Sequence, residues 1–257
     1  MRAPRRFALL TLLTLLAPML FAAALCSSGN PCSRCVDIVS TVPFSGAESH
    51  TYKLQRDDKE IGKTVLSIEP SGSTFVLKQE SSDDSGNADT SSVTVDQATL
   101  KPVSGHREVV DSGQRRVLDT AYEAIDKDCS SKLVVKLKQE VFKPAAAEKP
   151  DSTRSNPLCV PQHAYDNDTS LFLWRAIKFE KGYVASYQTV LTNRRTTQVI
   201  DLLVKDQQRV STPAGDFDAW LVEINAERTI QQAWYATTPD HRLLKYNNDG
   251  LIFLLQE

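Results

Sequence analysis

Two cysteines set two residues apart, Cys32 and Cys35 in CSSGNPCSRCVDI, are the side chains here whose type and spacing most directly suggest chemistry. A Cys-x-x-Cys pair can cycle between dithiol and disulfide. In redox proteins it follows a strand and opens a helix, where the helix terminus lowers the thiol pKa. This pair lies instead in a Gly/Pro/Ser-rich stretch with no strand pattern leading into it. The local sequence therefore favours a structural disulfide or spare thiols, and a thiol–disulfide redox protein is the rival. Zinc would need four ligands, and no second closely spaced pair occurs.

The other chemistry-bearing residues are dispersed. His50, His106, His163 and His241 share no metal-ligand spacing, and there is no His-Glu-x-x-His, Gly-x-Ser-x-Gly or phosphate-cradling glycine loop. Glu80–Thr90 (ESSDDSGNADT) has carboxylates but lacks the spacing and terminal Glu of a calcium loop. It reads as a solvated hairpin loop. Asp166 and Asp168 stand at a helix start, where carboxylates favour the dipole and cap free N–H groups. No enzymatic constellation, metal site or cofactor is expected. Net charge is −2 with a pI near 6.1, and basic residues are interspersed with acids. Nucleic-acid binding, which uses a basic face, is not expected.

Residues 1–25 explain where the chain is expected to work. Arg2, Arg5 and Arg6 precede an apolar run from Phe7 to Leu25 that ends near Ala22-Ala23-Ala24, the pattern of a secretory signal. At 19 residues the run is also long enough to remain as an N-terminal anchor. Cys26 follows at once and is a candidate for lipidation, although Leu25 before it is not the usual small residue. Cleavage after Ala24 competes. Membrane contact is expected only through such a lipid or anchor. Export permits disulfides. The expected pairing is Cys129 with Cys159 and Cys32 with Cys35, though connectivity is not legible from sequence.

After a Cys-rich tether over residues 26–46, residues 47–257 read as one domain of strands. HTYKLQR, KTVLSIE, STFVLKQ and KLVVKLKQEV alternate apolar and polar positions, the signature of antiparallel strands with one covered face. Asp57-Asp58, Ser71-Gly72, Ser112-Gly113 and Asn248-Asp249-Gly250 punctuate them with residues that tolerate tight turns. VSTPAGDFDAWLVEI reads as a corner between two strands, with Pro213 opening the turn and Gly215 accepting its strained end. A Pro/Ala-rich excursion over 143–158 shows no core pattern. One segment, DNDTSLFLWRAIKFEKG, is apolar nearly all round. It predicts a short buried helix. The predicted architecture is all-β: a curved antiparallel sheet, half-open or closed as a barrel, wrapped around one principal short helix. Phe172, Trp174, Trp220 and Trp234 are its candidate lining residues, either as packed core or as a pocket for an apolar ligand. Arg175, on the apolar helix, needs a partner such as Glu223, or faces a ligand head group.

The order of these pieces resembles an uncharacterised family of bacterial cell-envelope proteins known only as a domain of unknown function. The matching features are DTSLFLWR with Asp168, Leu171 and Arg175, then Gly182, VSTPAGDFDA, AWY with Trp234 and Tyr235, LLKY, and KEIGK with Ile61 and Gly62. The resemblance runs from about Tyr52 to Leu255 and is specific from Asp168 onward. Leu244 stands where such chains usually have Pro, and the segment between Cys129 and Cys159 is an addition. The family is similar in architecture to periplasmic lipoprotein carriers of the LolA-like half-barrel type. That implies lipid or another apolar ligand as partner, or a structural module of the envelope with a filled core. It confers no catalytic residues.

Overall fold

The computed structural model describes residues 32–126, 132–227 and 229–256. The leader, Cys26 and Cys129 lie outside them. Strands β1 (Glu48–Arg56), β2 (Lys59–Ser71), β3 (Thr74–Asp83), β4 (Ala88–Asp96), β5 (Pro102–Asp111), β6 (Gln114–Asp126), β7 (Lys132–Phe142) and β8 (Ser152–Val160) form an antiparallel meander. After β9 (Tyr165–Asp166) and a short helix come β10 (Val184–Leu191), β11 (Thr196–Thr212), β12 (Gly215–Ala226), β13 (Thr229–Ala236), β14 (Leu243–Asn248) and β15 (Leu251–Leu255). This second meander joins the first through β1 and β15, with Tyr52 opposite Leu255. One 15-stranded sheet results, with β8 and β9 as its unpaired edges. The fold is all-β, and the sheet curls without closing into a barrel.

The alternation in sequence is what gives the sheet its two faces. Ile200, Leu202 and Val204 on β11, and Val222 and Ile224 on β12, are buried, while Asp201, Leu203 and Glu223 between them are more accessible. The buried set turns inward onto the segment that follows β9. There Asn167–Thr169 form a 3₁₀ turn, Ser170–Leu173 form α1, and Trp174–Ala176 form a second 3₁₀ turn. Leu171, Phe172, Leu173, Trp174, Ala176 and Ile177 are all buried, as expected of a greasy segment enclosed by a curved sheet. Polar atoms inside are paired. Trp174 Nε1–H donates to the Tyr187 hydroxyl at 2.9 Å. The Tyr235 hydroxyl donates to the Leu171 carbonyl at 3.0 Å, and the Tyr52 hydroxyl to the Leu243 carbonyl at 2.9 Å. A smaller core of Val135, Leu137, Val160, Ala164 and Val190 brings β7 and β8 against β10, across the gap between the sheet edges.

Punctuation predicted from sequence falls in place. Pro213 and Ala214 are the two-residue hairpin between β11 and β12, closed by Thr212 opposite Gly215. Four expectations differ. Within the 143–158 excursion, residues 152–158 belong to β8, an edge strand exposed along most of its length. Backbone pairing with β7 holds it, so no apolar pattern is needed, and Pro157 is tolerated at an edge. The Glu80–Thr90 loop shrinks to a turn over residues 84–87, because Asp83 accepts from the Ser85 and Asn87 N–H groups at 2.8 and 3.0 Å. Of the 26–46 tether, the described part is packed: Ile38 and Phe44 are buried, and Ser40 N–H donates to the Ala176 carbonyl at 2.7 Å. Cys32 and Cys35 are free thiols, the alternative to the pairing expected between them. Cys159 is disulfide-bonded.

Gly62 shows why one glycine of the first hairpin is needed. The β1–β2 register slips between Leu54 and Gln55, and Gly62 beyond the slip has φ of +155°. A Cβ there would meet the Ser82 carbonyl oxygen at 2.1 Å, and that oxygen is backbone. Gly62→Ala is therefore expected to shift β3 or abolish the slip, at a cost of about 1–3 kcal/mol. Urea denaturation checks this; an unchanged midpoint would refute it.

Candidate functional site

The hairpins β1–β2, β3–β4, β10–β11, β12–β13 and β14–β15 all turn at one end of the curled sheet, and that end is its mouth. A cleft of about 310 Å³ opens there between α1 and the inner wall. Its floor is apolar: Leu171, Trp174, Ile200, Tyr246 and Phe253. The Trp174 and Tyr246 rings lie 6.2 Å apart, and Tyr246 meets Phe253 edge-on at 5.4 Å. The rim is built of carboxamides. Gln79, Gln198, Gln231 and Asn248 each stand two residues beyond an inward apolar residue of the same strand, namely Leu77, Ile200, Ala233 and Tyr246. Since the side-chain period of a strand is two, each pair shares the inner face. Gln231 and Asn248 are register partners across β13 and β14. The short Ala226 side chain leaves the cleft open on β12.

Asn167 and Asp168 complete the rim from the inner segment, and behind them lies a half-buried charged cluster. Arg107 donates from Nε and Nη2 to Asp89 at 2.9 and 2.6 Å, and from Nη1 to Asp168 at 3.0 Å. Its guanidinium divides the mouth cleft from a second cavity of about 240 Å³ lined by Asp89, Val109, Arg116 and Gln139. Asp166 is fully enclosed beside it. Its Oδ2 accepts from the Tyr122 hydroxyl at 2.5 Å and its Oδ1 from the Asp168 N–H at 2.9 Å, so it also caps the inner segment as expected. Gly105 makes room: a Cβ there would come within 2.6 Å of Thr120 Oγ1 and 3.6 Å of Asp166 Oδ2. Burial, together with the neighbouring Asp168 carboxylate, pushes the Asp166 pKa up to about 7, against the Tyr122 and Asp168 hydrogen bonds and the Arg107 charge. Burial raises Asp168 as well, although Arg107 opposes it.

Of the candidate lining residues, only Trp174 reaches the cleft. Phe172 is buried on another side of α1, and Trp220 packs near Phe179 with ring centres 6.5 Å apart. Trp234 is held under Lys245, whose ammonium lies 4.9 Å from the ring centre. Arg175 sits at the end opposite the mouth. It pairs with Glu48, not Glu223, and donates twice to the Asp240 carbonyl at 3.2 and 2.7 Å. Cys32 and Cys35 lie in a turn, the Cys35 N–H donating to the Cys32 carbonyl at 3.1 Å. Burial alone would raise the Cys32 pKa, but hydrogen bonds from Cys35 and Arg34 bring it below the ordinary thiol value; burial and its neighbour Cys32 raise that of Cys35. No helix follows them: Val36 N–H continues extended, donating to the Ser186 carbonyl at 2.9 Å.

Comparison with solved structures finds low-identity neighbours. A β-barrel-like protein of a domain of unknown function, DUF1849, from Brucella abortus is 12% identical, with 84% of this chain and 97% of that one covered and a TM-score of 0.41. A protein with a YmcC-like fold from Bacteroides fragilis is 11% identical, with coverages of 87% and 99% and a TM-score of 0.26. A search of curated proteins finds no match. The model of one family, described as protein of unknown function (DUF3108), matches residues 50–247, and the chain belongs to that family.

Proposed function

We propose that this protein is an exported component of the cell envelope that binds a small ligand at the mouth of its half-barrel, without catalysis. The observation that carries this reading is the contrast between a filled interior and an open mouth. Leu173, Tyr187, Val204, Val222 and Tyr235 leave no solvent-exposed surface inside, so an acyl chain has no room along the helix. The cleft of about 310 Å³ beside α1 falls at the lower end of the range that holds small ligands. An apolar floor under polar groups suits a ligand with one greasy face and one hydrogen-bonding face. Export rests on the Arg-rich, apolar leader over residues 1–25.

The test is a thermal-shift screen of the mature protein against fatty acids of graded length and neutral sugars. A ligand that binds only the folded state must raise the melting temperature. At least one compound is expected to do so in the wild type and to fail in Leu251→Trp, which fills the cleft from its half-buried rim. If no compound shifts the wild type, or the shift survives Leu251→Trp, the mouth is not a ligand site.

A further inference from the structure

The chemistry of the rim narrows the ligand class, and this inference rests on the mouth being the binding site. We infer that the mouth cleft recognises an uncharged saccharide, resting over the apolar floor and hydrogen-bonded by Gln79, Gln198, Gln231 and Asn248.

The rim is selective in residue type. On their outer faces the same strands carry charges: Lys78 and Glu80 flank Gln79 on β3, and Lys245 lies on β14. On the inner face above the apolar floor, β3, β11, β13 and β14 each place a carboxamide, and Arg107 of β5, Ala226 of β12 and Leu251 of β15 complete the lining. A carboxamide offers two donors and an acceptor with two lone pairs, and no net charge. It can serve hydroxyls, which both donate and accept, without burying an unpaired ion. Among the described residues, the side chains of Gln198 and Asn248 have no hydrogen-bond partner, although both are half-buried. Gln231 Oε1 accepts from the Tyr246 hydroxyl at 2.7 Å, which orients its amide.

The charged groups argue against an ionic ligand. Arg107 already meets Asp89 and Asp168, so an anion would have to displace a carboxylate paired with it. Asp168 is likewise satisfied by Arg107, so a cation would meet no free charge. A plain alkyl chain would cover the Gln198 and Asn248 amides without giving them partners, a cost that a saccharide avoids. The floor, by contrast, suits the C–H face of a sugar ring. Trp174 spends its indole N–H on Tyr187 and Tyr246 its hydroxyl on Gln231, so the floor offers the cleft only its ring carbons.

Isothermal titration calorimetry at pH 7 with methyl glucoside, N-acetylglucosamine and, separately, decanoate tests this on the mature protein. At least one sugar is expected to bind, and Gln198→Leu and Asn248→Leu are each expected to weaken it about tenfold, the worth of one hydrogen bond. Gln198→Glu keeps the size and solubility of the residue but loses the donors. It should weaken binding similarly and controls for misfolding. Sugar binding untouched by all three variants would overturn the assignment. Decanoate binding that is blocked by Leu251→Trp, with no sugar bound, would leave the mouth as a ligand site and overturn the saccharide class. No binding of either probe would remove both.

Discussion

Replacing Arg175 by methionine should cost roughly 3–5 kcal/mol of stability, because it leaves a partner charge and a carbonyl without their donor. The Arg175 side chain is only 4% exposed. Its fork is shared between the Glu48 carboxylate and the Asp240 carbonyl, and its guanidinium lies 5.0 Å from the centre of the Phe44 ring. One side chain thus ties the end of α1 to the start of β1, to the β13–β14 connection and to the segment before β1. Glu48 is 22% exposed, so solvent reclaims part of its charge and the cost belongs at the lower end. Adding Glu48→Gln should recover part of the loss, since the stranded carboxylate goes too. Arg175→Lys should not rescue, because an ammonium cannot span both acceptors. Urea denaturation followed by tryptophan fluorescence, at constant m-value, measures each change. A loss under 1 kcal/mol for Arg175→Met would show that the pair is a solvated contact.

Arg175 also illustrates what the chain reveals before folding. Its need for a partner follows from its place in LFLWRAI, but the partner does not. Glu48 is 127 residues away in sequence, and only the return of β1 to the same end of the sheet brings it near. Local periodicity is legible because strands such as β2, β11 and β12 bury alternate residues, which leaves the period in the sequence. The helix is legible because its apolar run has to be enclosed. β8 was hidden, since an edge strand exposed on both faces obeys only backbone pairing. Ile38 and Phe44 were hidden in a stretch dominated by Gly, Pro, Ser and Cys, whose composition suggests a free tether.

The mouth was hidden for a different reason. Gln79, Gln198, Gln231 and Asn248 come from four strands, and each by itself is an ordinary strand end. Their common layer exists only once the register is set, as with Gln231 opposite Asn248. A signal was present: in each strand the apolar phase continues for one more inward position with an amide in place of a hydrocarbon. The aromatic residues were the more conspicuous candidates, and aromatics are used mainly for packing here. Trp234 faces Lys245 and Trp220 faces Phe179, so only Trp174 belongs to the cleft.

The stability difference between Asp166→Asn and the wild type is expected to change by a few kcal/mol between pH 4.5 and 8, in favour of the variant at high pH. Burial, with Asp168 as neighbour, raises the Asp166 carboxyl from its ordinary 3.8 to about 7. Below about pH 4 both folded and unfolded chains hold the proton, and the group does not distinguish them. Between about 4 and 7 the folded state keeps a proton that the unfolded chain has released, so wild-type stability falls as pH rises through this window. At roughly 1.4 kcal/mol per pKa unit, a rise of this size sets the expected scale. Asparagine can still accept from the Asp168 N–H and can donate to the Tyr122 oxygen, so the geometry survives while the titration is lost. Other groups act in the same range: burial lowers His50 and His163, which makes stability rise with pH. They are common to both proteins and cancel in the difference. Asp168 lies against Arg107 and Asp89, and burial and the Asp89 charge, which raise its own pKa, are left in place by the substitution. The measurement is a pair of urea midpoint profiles across pH. Parallel profiles would mean that Asp166 is ionised throughout, and that Tyr122 and Arg107 outweigh its burial.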